Sequence, residues 1–405
     1  MSTRYGPNAP CTFDVHFGFQ SFSVGIMKIP QHWHLLTLGL FGWLVVSCTR
    51  PSTSSEKETT ADCPIGEVEP GNVTVRWAEG FGFDQDGAIL WLAHAGDTTR
   101  WCHEGKGACP SGVVALPPAA FLTLATWSTT HVPFVRSIGG QDQWVASGYL
   151  DRVAGEQEEK RKPLGGDAGV DEEMLLVSGA DVLTSYPFGD PMLGVEDRTG
   201  VPVMAMAEYA EGHPLGRAEF IKVFGWLTGR TEAAEAAFSE LEVAYLETKR
   251  MAELAAEEEG RPVVFAGSSK GGKWTAPGED GLVASLLQDA GAAYAFQGAE
   301  TDRMGIEKVG SNYEVETEQC ALLAARCDAF GKVVYAPDGW TVDQARVEAP
   351  WFDFDGRLAF HCNTAEVDYF GQAIMEPHVM LADLVALFHP STGDRSGVYF
   401  KSTAP

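Results

Sequence analysis

The stretch TEAAEAAFSELEVAYLETKRMAELAAEEE, from Thr231 to Glu259, decides the fold that we expect for this chain. Small and apolar residues recur in it at spacings of three and four, which is the pattern of one buried helix face: Ala234, Phe238, Leu241, Tyr245, Thr248, Ala252 and Ala255. Thr231 is the expected N-cap, and Gly260 ends the segment. At about 1.5 Å per residue, the helix spans roughly 40 Å. A helix as long as a domain is wide predicts a connection between two folded units.

Short apolar runs of the kind found in buried parallel strands lie on both sides of this helix: Phe121–Thr126, Asp181–Tyr186 and Val201–Met206 before it, and Pro262–Ala266 and Lys332–Ala336 after it. Helical patterns lie between them. Near the start, Val73–Trp77 and Ala88–Leu92 alternate as paired strands would. We therefore predict an α/β protein of two Rossmann-like lobes joined by one long rigid helix, with a small N-terminal β-elaboration and a cleft between the lobes.

Composition and charge set the first limits on function. The chain has 405 residues, 45% of them hydrophobic, which is enough for two cores. Its formal net charge is −27, so a nucleic-acid partner is not expected, because phosphate binding needs a basic surface.

The N-terminus predicts export. Met27 and Lys28 precede the apolar run Leu35–Val46, which is too short for a membrane span, and Ser47 and Cys48 follow it. The sequence LVVSC resembles a bacterial lipobox, which implies cleavage before Cys48 and lipidation of its thiol. An ordinary cleaved signal with a chance cysteine is the alternative, and translation could start at Met1 or at Met27. The polar residues after Cys48 predict a tether.

The cysteines fit an exported chain, in which an even number suggests disulfides. Six remain after Cys11 and Cys48, and Cys102 and Cys109, which flank HEGKGA, are the favoured pair. Cys320 and Cys327 lie on one predicted helix, too far apart to bridge each other. No CxxC spacing occurs, so we expect no structural zinc. Nothing in the sequence indicates another cofactor.

Candidate ligand-binding residues follow the predicted strands, because ligands of open α/β sheets bind at the carboxyl ends of the strands. They are Ser128, His131, Tyr149, Tyr186 and Tyr209 in the first lobe, and Lys273, Trp274 and Trp340 in the second. The aromatic rings offer wide contact to a large flat or chelated ligand, and the lysine would attract an anionic one. The alternatives are packing within a lobe for the aromatics, a structural role for His131 and a plain surface charge for Lys273.

Two motifs in one glycine-rich loop point elsewhere and are weak. Gly267–Gly271 fits G-x-S-x-G, but no helix follows at once, as a nucleophile elbow requires. The same loop contains GxxxxGK, but Trp274 stands where a phosphate-binding loop needs Ser or Thr.

From about Val113 to Pro390, the order and spacing of several segments resemble one known family. They are STTHVPFVRSIGG, LLVSGADVLTSY, EYAEGHPLGRAEFIKVFG, KWTAPGEDGLVASLLQDAGAAY and DYFGQAIMEPHVMLADLVALFHP. The family is that of the binding lipoproteins of ABC importers for ferric siderophores, haem and cobalamin, in a form similar to those of Bacteroidetes-type bacteria. The resemblance implies two lobes around a long helix, a metal chelate or corrinoid as ligand, and no catalysis.

The same resemblance implies partners and a location. In the family, a carboxylate on each lobe docks onto the permease, and these positions fall on Asp190, where Glu is usual, and on Glu318. A solvated acid is the alternative for both. We expect a monomer that is lipid-anchored in the cell envelope, faces the periplasm and works with an ABC permease and its ATPase.

The expected organisation is a signal region at residues 1–48, a tether at 49–62, a first lobe with its β-elaboration at 63–230, the connecting helix at 231–260 and a second lobe at 261–405. Three other functions stay open. They are a binding or sensing lipoprotein that needs no permease, an enzyme (a hydrolase using Ser269, or a metal chelatase), and a structural surface protein.

Overall fold

The fold comes from a computed structural model, in which residues 74–84, 87–105, 108–153, 155, 160–187, 192–393 and 397–403 are described. The predicted signal region and tether, including Cys48, lie outside these residues, and so does Asp190. No helix within the described ranges is both long and apolar enough to cross a membrane.

A four-stranded sheet comes first. Its strands are β1 (Phe81–Asp84), β2 (Ile89–His94), β3 (Asp97–His103) and β4 (Val114–Leu116), in that spatial order. Neighbours are antiparallel except β3 and β4. A disulfide joins Cys102 to Cys109, the pair that the sequence favoured, with Cα atoms 6.1 Å apart. This sheet is the predicted β-elaboration, although Ile89 rather than Ala88 begins its second strand.

The segment before β1 is held by side chains and not by strand pairing, so the predicted strand Val73–Trp77 is wrong for its described residues. The buried carboxylate of Glu219 accepts the backbone N–H groups of Arg76, Trp77 and Ala78 at 2.7–3.1 Å. The Glu211 carboxylate accepts those of Glu79 and Gly80 at 2.9–3.2 Å. Backbone donors satisfied by carboxylates have no need of a neighbouring strand.

The first lobe is built on a parallel five-stranded sheet. Its strands are β5 (Leu124–Thr126), β6 (Trp144–Ser147), β7 (Lys162–Pro163), β10 (Val182–Ser185) and β11 (Val203–Ala205), in the spatial order β11-β10-β5-β6-β7. A hairpin of β8 (Gly165–Gly166) and β9 (Gly169–Val170) extends it. Its helices are α1 (Val132–Ser137), α2 (Glu172–Ser178), α3 (Val195–Thr199), α4 (Pro214–Glu219) and α5 (Ile221–Thr228).

The connecting helix α6 covers Thr231–Glu259, the bounds read from the sequence. All seven residues of the predicted face are buried. Arg230, and not Thr231, is the N-cap, and it makes no side-chain cap bond. The helix packs mainly against α5 of the first lobe and α11 (Pro377–Phe388) of the second. Gly225 permits the close contact with α5, since a Cβ atom there would lie 2.5 Å from the Cβ of Ala234.

The second lobe contains two sheets. The larger has the order β15-β12-β18-β19-β20 and is parallel except for its last strand. The smaller is antiparallel, with the order β13-β14-β17-β16. The strands are β12 (Val263–Ala266), β13 (Ser268–Lys270), β14 (Lys273–Pro277), β15 (Ala293–Tyr294), β16 (Glu307–Val309), β17 (Asn312–Val315), β18 (Ala329–Val334), β19 (Leu358–Asn363) and β20 (Lys401–Ser402). The helices before α11 are α7 (Leu282–Asp289), α8 (Gly298–Met304), α9 (Thr317–Ala324) and α10 (Val342–Glu348).

The remaining described cysteines are reduced and buried in this lobe: Cys320, Cys327 and Cys362. Only Cys320 lies on α9, because that helix ends at Ala324, so the prediction that one helix carries Cys320 and Cys327 is wrong. Burial raises the pKa of each of the three thiols to about 12, which keeps them protonated at neutral pH. Together the two lobes, the connecting helix and the extra sheet confirm the predicted fold class.

Candidate functional site

Four neighbouring parallel strands of the first lobe end at one edge, because they share a direction. Trp127 and Ser128 follow β5, Tyr149 follows β6, Tyr186 follows β10, and Glu208 follows β11. The side chains at this edge contact one another. The predicted first-lobe residues therefore lie at one edge of the sheet. They differ in burial and in their hydrogen-bond partners.

One half of this edge is aromatic. The Trp127 indole N–H donates to the Tyr186 hydroxyl at 3.0 Å, and the Trp127 and Tyr149 ring centroids are 5.3 Å apart. The Arg152 guanidinium lies 4.6 Å from the centre of the Tyr149 ring. Burial, followed by the nearby Tyr186 and Asp167, raises the pKa of Tyr149. Tyr149 and Tyr186 are both half-buried, so each still has ring surface to offer.

Tyr149 also has a strained backbone. Its φ is 49°, and within the described ranges Ala95 is the only other non-glycine residue with a positive φ. A side chain in the left-handed region costs about 1 kcal/mol or more and persists where its surroundings hold it, often at functional sites. The residue is therefore positioned by its contacts.

The other half of the edge is a buried polar chain. The Glu208 carboxylate accepts from the Thr130 hydroxyl at 2.6 Å and lies 3.4 Å from His131 Nε2. His131 Nδ1 lies 2.9 Å from the Thr184 hydroxyl. Burial opposes the charge on Glu208, but His131, Arg217 and Thr130 together hold its pKa below the usual range. Glu208 therefore stays ionised in a dry setting.

Ser128 and His131 both take part in the hydrogen bonds of this buried polar half. The Ser128 hydroxyl accepts the Thr130 N–H and caps the 3-10 helix Thr129–His131. His131 is fully buried, and both of its ring nitrogens have partners, which fits the structural role. Ser128 is half-buried, so it keeps some access to the edge.

Tyr209 lies between the first lobe and the N-terminal sheet. Its hydroxyl is 3.5 Å from His94 Nε2, at the end of β2, and its pKa is raised to about 12 by burial and then by Glu208. The β-elaboration therefore reaches the end of β11, where Glu208 and Tyr209 begin a 3-10 helix.

In the second lobe, several aromatic residues follow the carboxyl ends of β18 and β19. Tyr335, directly after β18, is 60% exposed, and Phe370, after β19, is 43% exposed. Trp340 is half-buried beneath the Lys332 ammonium, which lies 5.3 Å from its ring centre. An open groove of about 450 Å³ runs beside Trp340 and is lined also by Asp343, Gln344, Val347 and Glu348.

Two second-lobe predictions do not fit this structure. Trp274 is 3% exposed and packs against Phe265, Phe330 and Trp351, with its indole N–H donating to the Ala266 carbonyl at 3.2 Å. It lies on β14, so its side chain enters the core rather than the cleft.

Lys273, next to it in the same strand, pairs with Glu316 at 3.0 Å and Glu314 at 3.4 Å. The hydrogen bond to Glu316, above all, raises its pKa. Two carboxylates already neutralise this ammonium, so it does not offer the free charge that we predicted for an anionic ligand.

The glycine-rich loop is a β-hairpin. Ser269 lies within β13 and pairs with Trp274 on β14, and its N–H donates to Glu348 at 3.1 Å. A nucleophile elbow and a phosphate-binding loop both need a strand that turns into a helix, so neither motif has its required setting here.

A small cavity joins the lobes next to the connecting helix. Arg217 of α4 and Tyr369, beyond β19, both line it, together with Pro214, Leu282, Ile374, Pro377 and Met380. Burial raises the pKa of the Tyr369 phenol to about 12, so the phenol is a hydrogen-bond donor at neutral pH. The cavity walls therefore come from both lobes.

The sequence analysis missed Arg217, Glu208, Tyr335, Tyr369 and Phe370. Tyr335 could have been found, because it directly follows a predicted strand. Arg217 and Glu208 look like ordinary surface charges in the sequence, and only the fold brings Arg217 to the second lobe and buries Glu208 against Thr130 and His131. No group of three or more His, Cys, Asp or Glu side chains that could hold a metal occurs among the described residues.

Two solved structures share this arrangement over most of their length. A periplasmic haem-binding protein from Pseudomonas aeruginosa matches 70% of this chain and 98% of its own, with a TM-score of 0.52 and 18% identity. A periplasmic binding protein from Veillonella parvula matches 75% of this chain and 98% of its own, with a TM-score of 0.52 and 14% identity. The chain has the fold of periplasmic binding proteins. No family model matches the sequence, and no curated protein matches it either.

Sequence identities this low establish the fold of this chain and do not identify its ligand. The fold that the resemblance implies is thus confirmed, and the permease-docking residues stay predictions. Glu318 is exposed in the first turn of α9, where a carboxylate suits the helix dipole. Asp190 lies outside the described residues.

Proposed function

We propose that the chain is the substrate-binding protein of an ABC importer and carries an iron–siderophore, haem or cobalamin-type ligand between its lobes. The observation that carries this proposal is that aromatic side chains follow the carboxyl ends of strands in both large sheets. Tyr149 and Tyr186 lie at that edge of the first lobe, and Tyr335 and Phe370 at that edge of the second. Flat rings in such loops bind a broad ligand at a small entropic cost.

The ligand would bring its own metal, since the described side chains form no metal-binding cluster. Delivery would be to a membrane permease and its ATPase, with Glu318 and Asp190 as the docking carboxylates. Lipidation at Cys48 would hold the protein, as a monomer, on the membrane at the periplasmic side. The long helix, clamped by α5 and α11, favours small lobe motions and a largely preformed cleft.

A binding or sensing lipoprotein without a permease is the second candidate, because the cleft would be the same. The enzyme alternative has less support. Ser269 lies in a hairpin and bonds through its backbone to Glu348, and its side chain has no histidine partner among the described residues.

A tryptophan-fluorescence titration tests the proposed cargo. The full chain is titrated with haem, a ferric siderophore and cyanocobalamin, each of which absorbs strongly enough to quench nearby indoles. We expect saturable quenching at micromolar concentrations or below by one class. Tyr335→Ala should weaken that binding about three- to tenfold, the loss of one stacking contact.

Phe121→Ala is the matched control, because Phe121 is 79% exposed and lies at the amino end of β5, away from the carboxyl edge. It should leave the affinity unchanged. If none of the three classes quenches the chain, the cargo proposal is wrong. Equal effects of the two variants would place the ligand elsewhere.

A further inference from the structure

Arg217 holds its guanidinium at the cavity between the lobes without a hydrogen-bond acceptor. Its Nε atom is buried and has no partner. Arg161 and Arg230 share this feature, but a terminal nitrogen of Arg161 donates to the Gln141 carbonyl at 2.8 Å, and one of Arg230 pairs with Asp142. For the Arg217 guanidinium, the described part of the chain supplies no hydrogen-bond acceptor and no ion pair. A buried donor without a partner costs about 1–3 kcal/mol, and more when it is charged.

Glu208 is the nearest candidate to neutralise Arg217, and it is already engaged. Its two oxygens contact the Thr130 hydroxyl at 2.6 Å and His131 Nε2 at 3.4 Å. Burial lowers the pKa of Arg217, and the negative charge of Glu208 raises it again from a longer distance. Arg217 therefore keeps its positive charge and its donors available to a group that enters the cavity.

The cavity is small and largely apolar apart from Arg217 and Tyr369. Its volume is about 10 Å³, the room of about one water molecule. Leu282, Pro377 and Met380 form part of the second-lobe wall. A space of this size holds no ring and no whole carboxylate, but Arg217 and Tyr369 are both only half-buried. A ligand would therefore present its polar end to them at the rim of the cavity, where the apolar walls strengthen a charge pair.

We propose that Arg217, with the Tyr369 hydroxyl beside it, binds a carboxylate of the carried ligand. The planar fork of a guanidinium matches the two oxygens of a carboxylate, and the protonated phenol adds a further donor. The inference rests on the proposed function and narrows it. The cargo is an acid-bearing porphyrin or chelate, such as one with propionate or citrate groups, and not a corrinoid with amide side chains or a hydroxamate chelate without carboxylates.

The experiment compares acid and ester forms of one ligand on the full chain. Haem is titrated beside haem dimethyl ester, which keeps the macrocycle and loses both acids, and ferric citrate provides the second source of carboxylates. We expect the carboxylate-bearing ligand to lose about tenfold or more in affinity on Arg217→Gln. For haem, esterification of the ligand should cost the unmodified chain a similar factor, and it should cost Arg217→Gln nothing further.

Arg326→Gln is the control, since Arg326 is exposed at the amino side of β18 and pairs with Glu300. Its affinity for each ligand should equal that of the unmodified chain. Arg217→Lys keeps the positive charge but loses the planar guanidinium. Its affinity for the carboxylate-bearing ligand should lie between that of the unmodified chain and that of Arg217→Gln. Far-ultraviolet circular dichroism checks the fold of each variant. If Arg217→Gln does not fold, the acid and ester titrations of the unmodified chain and the Arg217→Lys titrations decide the outcome.

Two results would overturn the carboxylate contact. One leaves the proposed binding function standing, and the other refutes that function as well. Equal affinity for haem and its ester, or tight binding of cyanocobalamin or ferrioxamine B that Arg217→Gln leaves unchanged, refutes the carboxylate contact while the binding function stands. Failure of the unmodified chain to bind any of these ligands refutes both proposals.

Discussion

Two tryptophans of the second lobe occupy similar sequence contexts but differ in burial. Trp274 points from β14 into a cluster with Phe265, Phe330 and Trp351. Trp340 lies in the loop after β18 and keeps part of its ring exposed beneath Lys332. In the sequence both follow a strand and a turn residue. The difference arises because a hairpin, unseen in the sequence, turns the chain back at Gly271 and Gly272.

The two tryptophans should therefore differ in what their removal costs. Trp274→Ala should lower the free energy of unfolding by about 3–5 kcal/mol, because it leaves a large cavity in a packed aromatic cluster. Trp340→Ala should lower it by about 1–2 kcal/mol, since its ring is only half-buried and it loses one cation–π contact. Urea unfolding followed by circular dichroism measures both. A small loss for Trp274→Ala, together with weaker ligand binding, would restore its predicted place in the cleft.

At the scale of elements, α6 holds the lobes through one carboxylate as well as through packing. Asp289, at the end of α7, accepts from Tyr245 at 2.8 Å, Lys249 at 2.8 Å and His213 Nε2 at 3.2 Å. Tyr245 and Lys249 belong to α6, and His213 caps α4 by accepting the Leu215 N–H on Nδ1. Because Nδ1 accepts, the ring proton is on Nε2 and points to Asp289. Three helices thus meet at one buried acid.

Asp289 gives this junction a pH dependence. Burial opposes its charge, but the bonds from His213, Lys249 and Tyr245 hold its pKa below the ordinary aspartate value of 3.8. A depressed folded-state pKa contributes stability that is complete above 3.8 and is lost as the pH falls through the folded value. Asp289→Asn should lower the free energy of unfolding at pH 7 by about 1.5–3 kcal/mol, and its deficit should shrink below about pH 4.

Urea unfolding at several pH values measures this deficit. Asp302→Asn is the matched control, because Asp302 is exposed on α8, and it should follow the unmodified chain at every pH. A constant deficit for Asp289→Asn down to pH 2 would contradict the role of its charge.

At the scale of the whole molecule, the sequence predicts the positions of helices and strands better than the residues of the candidate site. The α6 pattern works because a long amphipathic helix encodes its buried face within itself, in residues such as Phe238 and Tyr245. The five apolar runs on either side of α6 correspond to strands within a few residues, because each is a short buried stretch ended by polar or turn residues. The predicted strand at Val73–Trp77 is wrong for its described residues. Arg217 and Glu208 are not predicted because their surroundings come from distant segments: Arg217 lies at a cavity lined also by the second lobe, and Glu208 is buried against Thr130 and His131. Trp127, Tyr149 and Tyr186 do contact one another, as parallel strand ends predict.

Delivery to a permease should depend on both lobes together. Glu318→Ala combined with Asp190→Ala should abolish uptake of the labelled ligand in cells that lack the native chain, while binding by the purified protein stays unchanged. The reason is that each carboxylate would fix one lobe on the permease. Glu307→Ala, an exposed acid on β16 of the second lobe, is the control. Uptake that survives the double change would favour the candidate that needs no permease.

The carboxylate bonds before β1 determine where mechanical load enters the molecule. Glu219 and Glu211 hold the backbone of residues 76–80, Lys222 binds the Thr74 carbonyl at 2.5 Å, and Arg76 pairs with Glu242 of α6 at 2.5 Å. Tension applied through the preceding residues would therefore pass into α4, α5 and α6 before it could peel a strand from either large sheet. Such a pull would fall on these helices and spare the carboxyl edges of both large sheets.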